Sequence, residues 1–539
     1  MAEENRSKPH LGEPSSASNC GNTKPHAPSL RDVGGDLKSE RDIERGQQPL
    51  EKPRVVGPDT SDFQRDPKLV TWDGPDDREN PKNWLGKKKW ITMSIVSLFT
   101  LISPVSSTMV APALPSISAE LHITSAFVSQ LILSIFILAY AIGPLFLGPL
   151  SETYGRAPVL QLANLFYLAF NIGCGFAQTP GQLVAFRFLS GLGGSVPLVV
   201  GGGVLGDTFP AEKRGTAMAI YSLAPLLGPS IGPIFGGFIA ENTTWRWVFY
   251  ATSIATGIMQ VAGVLWLRET YAPQILYKRA KKLRMTTGDP SHKTEEERKD
   301  NTLGKALQAS LMRPFRLLAT QPIIQVLALY MAYIYGLMYL MLSTFPTLWT
   351  DPNYYNESIG IGGLNYISLG LGTFLGAYLC AFLNDRIFKR LSVRNNDQGK
   401  PEYRLPLLSI VTVCVPGGLF IYGWTAQTHA HWIAPNVGTC VFAVGNMMTF
   451  QCMQTYIMDT YTQYAASAMA AVSVLRCLAA FGFPLFAPYM YDALSYGWGN
   501  SVLTFISLGI RVPAPIFLWK FGERLRKASP YATEKTEGD

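Results

Sequence analysis

The feature that most constrains this chain is the length of its apolar runs. Twelve of them, at roughly 90–112, 127–149, 158–178, 181–206, 215–239, 247–267, 322–349, 361–383, 405–426, 432–458, 466–490 and 500–520, carry few charges. Each holds about 20 residues or more, the length a helix needs to cross the hydrocarbon core of a bilayer. The chain is 47% hydrophobic and only 16% charged, and its charges gather in 1–89, 269–321, 384–404 and after 520. This segregation predicts an all-α membrane protein with twelve transmembrane helices in two six-helix halves. The expected organisation is a disordered N-terminal tail over 1–89, a six-helix bundle over 90–268, a central loop over 269–321, a second bundle over 322–520 and a tail over 521–539.

Orientation follows from where the cations lie. Lys213, Arg214, Arg268, Arg279, Lys281, Lys282, Arg386, Lys389, Arg390, Arg404 and Lys520 all fall in segments on one side of a twelve-crossing scheme, while the other side is nearly bare of them, Arg246 excepted. The positive-inside rule makes the first side cytoplasmic, and both termini with it. Trp84 and Trp90 beside Lys87, Lys88 and Lys89 are the aromatic and cationic dressing of that interface. The sequons at Asn242 and Asn356 fall in two loops assigned to the outside, which makes them candidate glycosylation sites. Residues 1–80 are rich in Ser, Pro, Gly, Glu and Lys and do not resemble a cleaved signal. The helical run ETYAPQILYKRAKKLR interleaves apolar and cationic residues; it either lies on the inner membrane surface or is a solvated helix.

The net charge of +8 does not point to nucleic acid, because the basic residues sit beside apolar spans and form no nucleic-acid-binding motif. Six of the seven cysteines lie inside apolar runs without metal-type spacing, so they read as buried thiols, and no metal or cofactor is expected. No GxxxxGK[ST] run occurs, so ATP is not an evident driver, and no nucleophile and base constellation speaks for an enzyme.

Between the second and third runs lies LGPLSETYGRAPV, a very short turn carrying Glu152 and Arg156 four residues apart, with Gly148 and Gly155 beside them. Such a turn at a membrane surface reads as a charged clasp on neighbouring helix ends. The second half repeats it: setting Leu150 against Leu383 aligns Glu152 with Asp385 and Arg156 with Lys389. Two related halves with a substrate site at their interface near the mid-plane are the architecture of secondary transporters.

Gly148, Leu150, Glu152, Gly155 and Arg156 resemble the signature of the major facilitator superfamily between its second and third spans. That superfamily more often has Asp where Glu152 stands and a basic residue where Ala157 stands. The resemblance extends to the fourth span, where Arg187, Gly191 and Gly194 match a motif whose arginine is implicated in proton coupling. A charge in hydrocarbon costs about 2.5–3.5 kcal/mol on insertion scales, so Arg187 is expected either in that role or fastening the bundle by hydrogen bonds. Asp207 resembles the acid that closes the fourth span in relatives and completes an ionic cluster with Glu152 and Arg156. In the fifth span Gly228, Pro229, Gly232, Pro233, Gly236 and Gly237 put glycine at every fourth position. Close packing of helices accounts for that spacing; the run also resembles the motif of superfamily members that work as antiporters.

PKNW, TWRWVF, LRETYAP and YGWGNS together resemble the fungal twelve-span drug:proton antiporters over about residues 79–527. The resemblance implies a monomeric, proton-coupled exporter of small hydrophobic organic molecules in the cell membrane. Tyr333, Tyr335, Tyr339, Asn446 and Gln451 are candidate cavity residues, although a tyrosine stripe on a span also serves packing. A polycation would want buried carboxylates, which are scarce in mid-span, and Arg476 and Arg511 lean towards neutral or anionic cargo. A polyamine or organic-anion carrier of the same fold, or a receptor without flux, is the alternative.

Overall fold

The computed structural model describes residues 68–298, 303–396 and 399–532, and these are helical almost throughout, with one isolated bridge between Leu69 and Lys293. Residues 1–67 of the expected tail lie outside the described residues.

Ten spans are separate helices: Gly86–Glu120, Ala126–Tyr154, Arg156–Gly175, Pro180–Thr208, Ala211–Asn242, Arg246–Trp266, Pro322–Thr350, Ile359–Arg394, Pro401–Gln427 and Ile433–Thr460. An eleventh run, Ala465–Lys527, has 63 residues, about 95 Å of helix against a hydrocarbon core of about 30 Å. Ser495 breaks it, with φ 56° and ψ 177°. The chain reverses there: the Tyr491 and Tyr496 rings stack 4.6 Å apart, and the Tyr491 hydroxyl reaches Asn500 at 3.2 Å. A continuous helix would hold residues nine apart about 13 Å from each other. The described residues therefore contain twelve spans, the last two being 465–494 and 496–527.

Several helices outrun their apolar stretches. The eighth continues to Arg394 and the twelfth to Lys527, seven residues past the expected end, because a helix backbone satisfies itself in water as well as in lipid and only the side chains must change.

In the first half the first span packs on the fifth and sixth, the second on the fourth, and the third on the fourth and sixth. Buried amides fasten these contacts: Asn171 donates to the Phe249 carbonyl and the Thr252 and Ser253 hydroxyls at 3.1, 2.9 and 2.8 Å. In the second half the seventh span packs on the eleventh and twelfth, and the tenth on the eighth and ninth. The halves meet where the second span lies on the eleventh and the fifth on the eighth.

Residues 68–89, within the stretch expected to be a disordered tail, are held in place. The Val70 amide donates to the Lys293 carbonyl at 3.0 Å, and Arg279 on the helix Ala272–Thr287 pairs with Asp77 at 2.9 Å and with Asp73. Trp84 is buried, with the Lys88 ammonium 3.4 Å over its ring.

Candidate functional site

Arg156 opens the third span immediately after Gly155, whose φ of +102° is left-handed and favours glycine. Its guanidinium lies 3.5 Å from Glu152 and 3.6 Å from Asp207, donates to the Ser151 hydroxyl at 2.7 Å and sits 5.0 Å over the Tyr271 ring. The three residues expected to cluster, Glu152, Arg156 and Asp207, are thus brought together from the ends of the second, third and fourth spans. A fourth acid joins them. Glu269, just beyond the sixth span, accepts the Arg156 amide at 2.9 Å and the Ala157 amide at 3.3 Å, so a carboxylate caps the third span where its amide dipoles point. Burial pushes the neighbouring Tyr271 hydroxyl up to about 12, so it stays neutral. Gly148 meets Val199 only at an ordinary contact distance, 3.5 Å from a Cβ placed there.

The second half builds the same device from different chain positions. Arg404, at the start of the ninth span, bonds Asp385 of the eighth at 2.9 Å and Asp459 of the tenth at 3.1 Å, and lies 4.3 Å from the Phe388 ring. Lys389, expected as the counterpart of Arg156, does not take that place. The eighth span stays helical through it to Arg394, so Lys389 is carried one turn past Asp385 into solvent.

Arg187 is fully buried and its nitrogens donate to carbonyl oxygens: Nε to Ile132 at 3.2 Å, Nη1 to Ser106 and Nη2 to Ser107 at 3.1 Å each. The Phe136 ring lies 4.7 Å from its guanidinium carbon. Its hydrogen-bond partners belong to the first and second spans, which is the fastening geometry.

The fifth-span glycines mark the closest approach to the first span. A Cβ on Gly228 would stand 2.6 Å from the Pro104 side chain, and one on Gly232 2.6 Å from the Val105 carbonyl; Gly236 faces the Met109 carbonyl closer still. Gly237 looks across to the eighth span, 2.8 Å from the Ile359 carbonyl by the same measure, and Pro229 and Pro233 stay within the helix. Beside this contact Glu241 accepts the Gly360 amide at 2.8 Å, tying the two halves together. Asn242 and Asn356 are exposed at this same end of the bundle, opposite Arg156. Arg246, the exception in the cation pattern, is neutralised there by Glu120, which also accepts the Trp245 indole at 2.7 Å.

At mid-span between the halves the expected cavity residues separate into two groups. Tyr333 donates to the Leu503 carbonyl and packs on Phe483 inside the second half. Tyr335 and Tyr339 stand with rings 5.3 Å apart, beside Tyr140 of the second span, whose hydroxyl bonds Ser103 of the first. Asn446 is buried with an unbonded carbonyl oxygen, and Gln451 is half-buried one helical turn on. The Arg476 guanidinium lies 4.4 Å over Tyr335 and 5.4 Å from Phe450. Sequence reasoning missed Glu269, Asp459 as a partner of Arg404, and the Glu241 tie; only the LRETYAP string hinted at the first.

Residues 96–484 match the model of the Major Facilitator Superfamily. The chain is 52% identical over 476 residues to the efflux pump vrtL of Penicillium aethiopicum, covering 88% of this chain and 94% of that one. It is 40% identical to the efflux pump radE of Floropilus chiversii, over 87% of this chain and 86% of the relative. In fold it is similar to the xylose transporter XylE from E. coli in a partially occluded inward-open conformation, with a TM-score of 0.59, 15% identity, and 81% and 98% of the two chains covered. Twelve spans in paired halves, each with an arginine locked between carboxylates at one end, are the form of a multi-pass membrane transporter for small molecules, and the chain belongs to the major facilitator superfamily, among its fungal efflux pumps and transporters.

Proposed function

We propose that this transporter exports small hydrophobic organic molecules across the cell membrane in exchange for protons, as a monomer with both termini in the cytoplasm. The observation that carries this reading is the mid-span interface. Tyr140, Tyr335, Phe450 and Gln451 are partly accessible there, so the interface between the halves presents aromatic and a few polar groups. Such a lining holds flat apolar molecules by many weak contacts. The names of its relatives supply the direction of transport.

Alternating access requires each end to open in turn. At the end carrying Glu241 the halves are tied through Gly360 and through the Gly237 contact; at the other, the Arg156 and Arg404 clusters each fasten three spans of one half. These clusters make the ends of each half rigid, so that it rocks as a body. A proton gradient supplies about 2.3 kcal/mol per 100 mV and about 1.4 kcal/mol per pH unit. Together these sustain a substrate gradient of several hundred-fold.

The test is uptake of candidate aromatic compounds into inside-out vesicles with an imposed pH gradient. Accumulation that collapses with a protonophore is expected. Binding without gradient-dependent accumulation would replace the exporter by a receptor of the same fold.

A further inference from the structure

Three arginines lie within the apolar parts of the spans, Arg187, Arg476 and Arg511, and among the described residues no carboxylate interrupts that depth. Two of the three are closed off. Arg187 is fully buried and its guanidinium is bonded to carbonyls of the first and second spans. Arg511 donates to the Thr449 hydroxyl at 2.8 Å and lies 5.3 Å from the Tyr330 ring; its Nε and Nη1 have no hydrogen-bond partner, but it is fully buried inside the second half and so closed to a ligand.

Arg476 is different. It sits near the middle of the eleventh span, against the seventh and tenth, and is partly accessible. Its guanidinium contacts the Tyr335 and Phe450 rings and the Cys477 thiol, its Nε has no hydrogen-bond partner, and no ion pair to a carboxylate is formed among the described residues. A cation at that depth without an opposite charge is costly, and aromatic faces replace only part of its hydration. The planar fork of a guanidinium matches an oxyanion through two parallel hydrogen bonds. Near it stand the flat rings of Tyr335 and Tyr339 from the second half, with Tyr140 of the first half beside Tyr335, and Asn446, four residues before Phe450 on the tenth span, keeps an unbonded carbonyl oxygen.

We infer that the cargo is a planar aromatic molecule bearing an oxyanion, a carboxylate or an ionised phenol, which pairs with Arg476 while its rings stack on the surrounding tyrosines. Calling this ligand cargo rests on the export reading; its binding does not. The absence of acid at this depth in the described spans excludes a polycation from the same place.

The experiment is equilibrium binding to the purified full-length protein in detergent, without any gradient, using fluorescent dansylglycine and its uncharged amide as probes. A charged hydrogen-bonded pair predicts a preference of about ten-fold or more for the carboxylate. Arg476→Gln should abolish that preference, and Arg476→Lys, which keeps the charge but not the fork, should retain part of it. Thermal melting checks that each variant is folded; if the Gln variant is not, a reduced preference in the Lys variant carries the test. Equal affinities for the two probes, binding of neither, or an undiminished preference in the folded variants would overturn the inference. Failure of the export reading shows instead in vesicle flux, with the binding preference intact.

Discussion

Arg404 does in the second half what Arg156 does in the first, although the two are reached by different routes along the chain. Arg156 follows Glu152 by four residues and bridges it to Asp207; Arg404 follows Asp385 by nineteen and bridges it to Asp459. In both, an acid ending one span and an acid two spans later converge on a base that opens the span between. The pairs are partly exposed, so each ion pair contributes at most about 1 kcal/mol to stability, and their value lies in fixing three helix ends at once.

Arg156→Ala and Arg404→Ala should therefore each lower transport rate several-fold while leaving the protein folded. Because the clusters lie in different halves with no shared partner, the double variant should show the product of the two effects. Initial rates in proteoliposomes at equal protein content are the measurement. A double variant no worse than either single one would mean that the clusters act in one step rather than separately.

Glu269 caps the third span with both carboxylate oxygens and also accepts the Thr270 and Tyr271 amides at 3.0 and 2.9 Å. Its replacement by Ala should cost about 1 kcal/mol, the usual loss for an N-cap, and lower the melting temperature in detergent by a few degrees. Glu269→Gln should recover part of this, since an amide oxygen still accepts one bond. An Ala variant that melts with the parent would show that water replaces the cap without loss.

These two sites show what could be read from the residues alone. The bilayer imposes a length, so twelve spans and the acids at their ends, Glu152 and Asp385, stand out as places where apolar runs stop. The base of the second cluster did not, because matching the halves residue by residue put Lys389 opposite Arg156, and the longer connection before the ninth span displaced the true partner. Glu269 is 113 residues from the amide it caps, a proximity that exists only once the sixth span has returned beside the third. The closed position of Arg511 is hidden in the sequence for the same reason, since its partner Thr449 belongs to another span.

The fifth-span glycines make a steric prediction. Gly232→Ala places a methyl 2.6 Å from the Val105 carbonyl, forcing the first and fifth spans apart at a cost of about 1–3 kcal/mol. Gly257→Ala in the sixth span meets nothing within 4 Å and is the control. Yield of monodisperse protein and melting temperature should fall for the first and hold for the second; equal behaviour would mean that the first span yields without cost.

Arg187 is held by backbone carbonyls of two spans, so Arg187→Ala removes a fully buried anchor and should abolish transport together with a clear loss of thermal stability. Arg187→Lys keeps the charge but cannot hold three directions at once. If the residue also couples protons, the Lys variant will pass cargo downhill while losing its response to a pH gradient. If it only fastens helices, the surviving flux will respond to the gradient as in the parent.

The segment before the first span supplies a pH-dependent contact away from the membrane interior. Asp77 accepts the Glu79 and Asp73 amides at 2.9 and 3.1 Å and pairs with Arg279, and these bonds, the backbone ones foremost, hold its carboxyl below the usual range. A carboxyl depressed on folding contributes stability that is fully present above its unfolded value, about 3.9, and is lost as pH falls through the folded one. Hydrogen exchange at the Val70 amide, bonded to Lys293 in the central loop, should therefore be slow at neutral pH. Once corrected for the intrinsic rate, its protection should fall only below about pH 4. Asp77→Asn cannot form the ion pair, so it should weaken that protection at neutral pH and remove its dependence on acid. Protection unchanged in the variant would assign the anchoring of residues 68–80 to the Leu69–Lys293 bridge alone.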